Sequence, residues 1–201
     1  DFIDVGVPGG IMEEIDERFL ITENGEKGLQ AEYFANSDFS GEPSLTQVET
    51  KIEQYWHNLS PAPGIPSDNF SIRWTGYIVP KLDGIYDFQI WADDLGRLTI
   101  DNKVLIDSWD AKLKNSWSKK SLRLKKDRKY PVKLELVEYD EFADIKIRWK
   151  INPDKKKDTM FEKAVRSARE ADVVVVVLGE KDSNGEGRDK VSLELNVYSK
   201  R

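Results

Sequence analysis

Apolar and polar positions alternate along the central part of the chain, from about Gly28 to Ile151. A period of two places successive side chains on opposite faces of a β-strand. Short polar turns such as Leu82-Asp83-Gly84 separate the alternating segments. The pattern predicts strands with one solvent-facing side, packed as an antiparallel β-sandwich or barrel. The apolar positions that carry it are Phe70, Ile72 and Trp74; Tyr86, Phe88 and Ile90; Leu122 and Leu124; Val132, Leu134 and Leu136; and Ile145, Ile147, Trp149 and Ile151.

The hydrophobic spacing changes after Asn152-Pro153. Phe161, Ala164, Val165 and Ala168 follow a helical period, and an uninterrupted β-branched run begins at Val173. Such a run is typical of a parallel strand that is covered on both faces, so this part predicts half of an α/β unit. We therefore expect three parts: 1–27 as the N-terminal flank of an interrupted host domain, 28–152 as the β-sandwich, and 153–201 as a partial α/β segment.

Composition excludes several classes of protein. The 201 residues include 31 Lys plus Arg against 37 Asp plus Glu, a formal net charge of −6. A net negative chain lacks the excess of basic residues that binds the phosphate backbone, so we do not expect nucleic acid as a partner. No apolar stretch is long enough to span a membrane. The absence of Cys excludes disulfides and thiol nucleophiles, and the single His, His57, excludes a His-dependent triad.

The compartment is not determined by this composition, although a bacterial periplasmic or secreted location is favoured. The chain begins at Asp1 without a Met or a signal-like segment. We expect either that a signal was removed or that this is an excised fragment.

Motifs in the central part occur in an order that resembles the protective-antigen domain (PA-14 type), a module named after a bacterial toxin component. The resemblance implies an antiparallel β-barrel or sandwich over about Gly28 to Ile151. The stretches that carry it are Gly28 to Phe34, Phe70 to Tyr77, Gly84 to Phe88, Ala92 to Leu98 and Ile100 to Asp107.

The C-terminal part is similar to a second family. Ala168 to Gly179, then Gly185 to Lys190, resemble the α/β-sandwich domain of glycoside hydrolase family 3, which includes β-glucosidases and β-xylosidases. Some members carry a protective-antigen domain inserted in that sandwich. Two positions depart from the family pattern: Lys190 stands where Arg is usual and Asn196 where Pro is usual. Lys keeps the charge but lacks the forked donor geometry of Arg.

The family 3 resemblance assigns a catalytic role within this segment. Retaining glycoside hydrolysis needs two carboxyl groups, a nucleophile and an acid/base. The resemblance places the nucleophile on a (β/α)8 barrel that these residues do not contain, so we expect this chain alone to be inactive. It maps the acid/base onto Glu186, although a solvated acidic turn explains this residue equally well. Glu180 is a weaker candidate, and Asp189 is a substrate-binding candidate or an ion-pair partner of Lys190.

Asp93 and Asp94 form a second candidate site. Adjacent carboxylates can supply two of the six to eight oxygens that calcium takes. In flocculin-type adhesins that share the protective-antigen domain, an equivalent pair binds calcium and, through it, sugar hydroxyls. The alternative is that both side chains cap the turn into Leu98 to Ile100. Otherwise we expect no cofactor.

Exposed indoles are a third candidate feature. Trp109, together with Trp91 and Trp117, flanks loops near the aspartate pair. Each indole could stack on a sugar face or pack at the rim of the core.

These features support two hypotheses from different classes. In the first, the chain is a fragment of a family 3 β-glycosidase, and its β domain shapes the active-site entrance and the sugar selectivity. Its partners are then a β-linked oligosaccharide and the remainder of the parent chain, namely the missing barrel and the rest of the sandwich. In the second, it is a stand-alone carbohydrate-binding or adhesin-like module that could depend on calcium. A toxin-like assembly domain is a third reading that the flanks do not support.

Overall fold

The computed structural model describes residues 12–109, 117–154 and 160–174. Strands dominate the first two ranges, and the last contains a helix, α1, at Met160–Glu170. The strands are β1 Glu13–Glu14, β2 Leu20–Ile21, β3 Leu29–Phe34, β4 Leu45–Glu49, β5 Glu53–His57, β6 Phe70–Ile78, β7 Gly84–Asp93, β8 Leu95–Ile100, β9 Lys103–Asp107, β10 Ser118–Leu124, β11 Tyr130–Glu138 and β12 Ala143–Pro153.

The strands form two antiparallel sheets. The smaller sheet has five strands in the order β1-β12-β7-β10, with β5 also paired to β12. The larger sheet has seven strands in the order β4-β3-β6-β11-β8-β9, with β2 paired to β6. The inner faces of both sheets contribute to one hydrophobic core. The predicted antiparallel β-sandwich is thus confirmed.

The core contains the alternate apolar positions that the sequence pattern selects. In β7, Tyr86, Phe88 and Ile90 are buried, whereas the residues between them are partly exposed. Trp74 of the larger sheet is fully buried, and Trp149 of the smaller sheet packs against Tyr86 with ring centroids 5.0 Å apart. Burying each large apolar side chain contributes about 1.5–3 kcal/mol, so this shared layer holds the two sheets together.

The N-terminal residues differ from the expected organisation. The compact unit that contains the sandwich covers Ile11–Asp154, so it begins before the boundary expected at residue 28. β1 pairs with β12, β2 pairs with β6, and Leu20 is buried in the core. Because each of these strands is only two residues long, no alternation of apolar and polar positions marks them in the sequence.

A second compact unit comprises Asp1–Gly10 and Lys155–Arg201. Its helix α1 contains the positions that the helical period selects, from Phe161 to Ala168. The β-branched run predicted as a buried strand begins at Val173. Its first two residues, Val173 and Val174, are 78% and 48% exposed and form no strand, so the prediction is wrong for them, and its residues from Val175 onward lie outside the described part of the chain. Within the described ranges, no helix is both long and apolar enough to cross a membrane.

Candidate functional site

A single residue, Asp94, connects strands of different sheets. β7 of the smaller sheet ends at Asp93, and β8 of the larger sheet begins at Leu95. The peptide bond between Asp93 and Asp94 is cis. Gly96 packs so closely that a Cβ there would lie 2.6 Å from Cβ of Ala92. Only glycine fits at position 96, just after the chain passes from one sheet to the other. Because this passage occurs at Asp93 and Asp94, both aspartates lie at one corner of the sandwich.

Asp94 is 1% exposed and holds the loop that follows β11. Its Oδ2 accepts hydrogen bonds from the backbone N–H groups of Tyr139, at 2.8 Å, and Asp140, at 3.4 Å. Buried carboxylates need such donors to offset the loss of solvation. Asp94 therefore caps a turn, in agreement with the alternative to calcium binding. The capped turn, however, connects β11 to β12, whereas the sequence predicted capping of the turn that leads into Leu98 to Ile100.

Further acidic residues surround this corner. Asp93 lies opposite Asp144 in the pairing of β7 with β12, and Glu138 ends β11 just before the loop that Asp94 caps. Each of Asp93, Asp94, Glu138 and Asp140 already interacts with other groups. No three acidic or histidine side chains in the described part of the chain are grouped as a metal site requires. Calcium binding by Asp93 and Asp94 stays a prediction.

Trp109 is fixed near the same corner through the first residues of β8. The guanidinium carbon of Arg97 lies 3.9 Å from the Trp109 ring centroid, and Arg97 pairs with Asp107 at 3.2 Å. The backbone N–H of Trp109 donates to the Asp107 carboxylate at 2.9 Å. Ser108, between them, is hydrogen-bonded to the backbone of Gly96. Arg97 and Asp107 thus hold Trp109 in place at the edge of the sandwich. Substrate binding by Trp109 stays a prediction.

Trp91 and Trp117 lie together on the outer face of the smaller sheet. Their ring centroids are 5.8 Å apart, and Trp91 shares its face of β7 with Asp93, two residues further on. Neither belongs to the shared core. Tyr55 of β5 lies on the same face, opposite Asp144. Sequence reasoning missed Tyr55 because the adjacent Trp56 disrupts the alternation in that strand.

The charged groups on this outer face are largely paired. Glu53 contacts Lys51 at 3.3 Å and Arg148 at 3.1 Å. The hydrogen bond with Glu14 is the main reason that the pKa of Glu53 is lowered to about 2. Hydrogen bonds with Tyr55, Lys51 and Arg148 lower this pKa as well. Glu53 consequently stays ionised at neutral pH and neutralises the neighbouring cations.

A buried carboxylate that sequence reasoning missed braces the larger sheet. Glu49, at the end of β4, is 9% exposed and accepts hydrogen bonds from Tyr33 Oη at 2.5 Å, Gln47 Nε2 at 2.8 Å and Trp74 Nε1 at 2.8 Å. Burial, and then Glu49, raise the pKa of the Tyr33 hydroxyl. Because all donors come from within the sandwich, we assign this network a structural role.

The catalytic prediction falls elsewhere in the chain. Glu186, Asp189 and the weaker candidate Glu180 lie outside the described residues. Their roles therefore stay predictions.

Comparisons with known proteins now identify the family. The profile of the PA14 domain matches residues 25–163. The anti-sigma-I factor RsgI3 of Acetivibrio thermocellus is 32% identical over 122 residues, which are 61% of this chain and 19% of that protein. A β-glucosidase of Rhizobium radiobacter is 26% identical over 193 residues, which are 90% of this chain and 23% of that protein.

The structural comparison agrees with the sequence profile. The solved structure of an anti-sigma factor domain-containing protein superimposes with a TM-score of 0.59 at 29% identity, covering 66% of this chain and 46% of that one. This chain spans only 19% and 23% of the length of the two curated relatives described above. Since the profile covers well over half of the residues, the chain belongs to the PA14 domain family.

Proposed function

We propose that this chain is the PA14 module, with flanking segments, of a longer β-glycosidase of the glycoside hydrolase family 3 type. The observation that carries the proposal is the extent of the similarity to the Rhizobium radiobacter β-glucosidase, which covers 90% of the chain. The PA14 profile covers only 25–163, and the similarity to the anti-sigma-I factor covers only 61%. A stand-alone binding module would not need the additional segments.

The module then acts as a wall at the active-site entrance. Its corner is rigid, because Asp94 fastens the loop after β11 and Gly96 packs against Ala92. A rigid wall selects which β-linked oligosaccharides fit and leaves the chemical step unchanged. The sugar selectivity of the longer protein would thus depend on the loops of the sandwich.

Glu186 supplies the acid/base in this proposal. It would protonate the leaving oxygen and later activate water, while a nucleophile outside this chain forms the glycosyl intermediate. Asp189 would lie in the same loop and contact substrate. Because one carboxyl group cannot run the double displacement, the 201-residue chain by itself should not hydrolyse nitrophenyl β-glucosides.

The leaving group provides the test. In the longer protein, Glu186→Gln should lower kcat/KM for methyl β-glucoside by about 10²–10⁴-fold, because this poor leaving group needs a proton. The dinitrophenolate of dinitrophenyl β-glucoside leaves without being protonated, so kcat/KM for this substrate should fall far less. Glu180→Gln is the matched control and should leave the two substrates equally affected. Equal losses for both substrates in Glu186→Gln would remove Glu186 from the acid role.

An adhesin-like module that binds sugar through calcium is the second candidate. Its support is the acidic corner, where Asp93 faces Asp144 across the pairing of β7 with β12. Sugar binding that requires calcium and is lost in Asp93→Ala would favour this function over a wall.

A further inference from the structure

Three aromatic side chains form a row across the outer face of the smaller sheet. We call Tyr55, Trp91 and Trp117 the aromatic row. The two indole centroids are 5.8 Å apart. Nζ of Lys146 lies 4.0 Å from the Tyr55 centroid and 6.0 Å from the Trp91 centroid, so these two rings are at most about 10 Å apart. Strands are about 4.8 Å apart, so a row from β5 to the start of β10 extends roughly 14 Å.

The row is exposed although its members are large and apolar. Tyr55 is 47% exposed and Trp117 is 38% exposed, and Trp91 is half-buried beside them. Trp149 of β12 is buried in the hydrophobic core, whereas none of the three rings of the row belongs to that core. Exposed apolar patches of this kind mark binding surfaces.

The charges beside the row also fit a ligand rich in oxygen. Arg148 lies over the Trp117 ring at 5.2 Å and is neutralised by Glu53. Lys146 contacts Tyr55 and Trp91, and it forms no ion pair with a carboxylate of the described residues. Its ammonium therefore keeps donors for an acceptor that arrives from outside.

We infer that the aromatic row binds a β-linked glucan chain, separately from the corner at Asp94. The ligand class rests on the proposed function, whereas the position of the surface rests on the geometry alone. The C–H faces of pyranose rings are apolar and stack on indole and phenol rings, and their hydroxyl oxygens accept from Lys146. Rings held on a sheet provide contact area at a low cost in conformational entropy.

Binding by the 201-residue chain tests this inference without any enzymatic activity. Affinity electrophoresis and calorimetry with a soluble β-glucan would measure Kd for the parent chain and for Trp91→Ala and Trp117→Ala. Losing one stacking partner should weaken binding about tenfold or more. Tyr77→Ala, on the outer face of the larger sheet, is the matched control and should bind like the parent. Circular dichroism of each variant checks that the sandwich is folded.

Two additional arms separate this surface from the other sites. Chelation of calcium should leave glucan binding unchanged, because no metal participates. Binding abolished by chelation or by Asp93→Ala, with Trp117→Ala harmless, would overturn the inference in favour of the acidic corner. No measurable binding, or a preference for a polyuronate over the neutral glucan, would overturn it as well. Equal losses for the two substrates in Glu186→Gln would argue against the enzymatic proposal, but they would not affect this binding result.

Discussion

Replacing Glu49 by Gln tests whether the buried carboxylate braces the larger sheet. In the native structure both carboxylate oxygens are used: Oε1 accepts from Tyr33 and Gln47, and Oε2 accepts from Trp74. Gln keeps the shape but has only one acceptor oxygen, and its amide nitrogen presents donors. In either orientation of the amide, at least one of the three native donors loses its acceptor.

The size of the effect follows from this count. Hydrogen bonds to a charged group contribute about 1.5–3 kcal/mol each, and a buried donor left unsatisfied costs about 1–3 kcal/mol. We therefore expect Glu49→Gln to lower the free energy of unfolding by about 3 kcal/mol. At about 2–4 °C per kcal/mol for a domain of this size, the Tm should fall by roughly 6–12 °C.

Urea unfolding followed by tryptophan fluorescence measures the loss directly. The midpoint should fall while the m-value stays constant, because the area exposed on unfolding does not change. Glu32→Gln is the matched control: Glu32 is partly exposed, pairs with Arg73 at 3.5 Å, and should cost less than about 1 kcal/mol. A loss for Glu49→Gln no larger than for the control would refute the bracing role.

Further predictions concern pH, packing, calcium and substrate length. Burial raises the pKa of Tyr33 and raises that of Tyr86 to about 12, so the folded state holds these protons more tightly than the unfolded state. Their stabilisation is present below pH 10 and is lost as the pH rises through the folded values, so Tm should fall between pH 10 and 12; a constant Tm would contradict this. Gly96→Ala should cost about 1–3 kcal/mol in urea unfolding because its Cβ would clash with Ala92, and an unchanged midpoint would show that the corner can relax. Calcium should leave the Tm unchanged, because Asp94 Oδ2 already accepts two backbone N–H bonds; a rise that Asp93→Ala abolishes would favour the adhesin-like function. In the longer protein, trimming the loops of the sandwich should raise kcat/KM most for longer oligosaccharides, whereas an equal change for all lengths would argue against a wall.

Regular alternation made the long strands predictable from sequence. In β7 and β12 the apolar positions point into the core, and the residues between them lie on the outer face. The assignment of Trp74 and Trp149 to the core follows from the same pattern and is confirmed. Helix α1 was predictable for an equivalent reason, since its apolar residues follow the helical period.

Features that depend on contacts distant in the chain were not predictable in this way. The role of Asp94 depends on N–H groups about 45 residues later, and the burial of Glu49 depends on Tyr33 and Trp74. β1 and β2 are too short to show any period, although both pair with long strands. The aromatic row needs the pairing of β5 with β12, which only the folded sandwich reveals.

The stereochemistry of the longer protein tests the central proposal most directly. Proton NMR during hydrolysis of an aryl β-glucoside distinguishes the anomer of glucose that is released first. A family 3 type enzyme with Glu186 as acid/base retains configuration, so we expect β-glucose to appear first and the α-anomer to follow by mutarotation. Release of α-glucose first, or no hydrolysis of β-glucosides by the longer protein, would contradict the proposal.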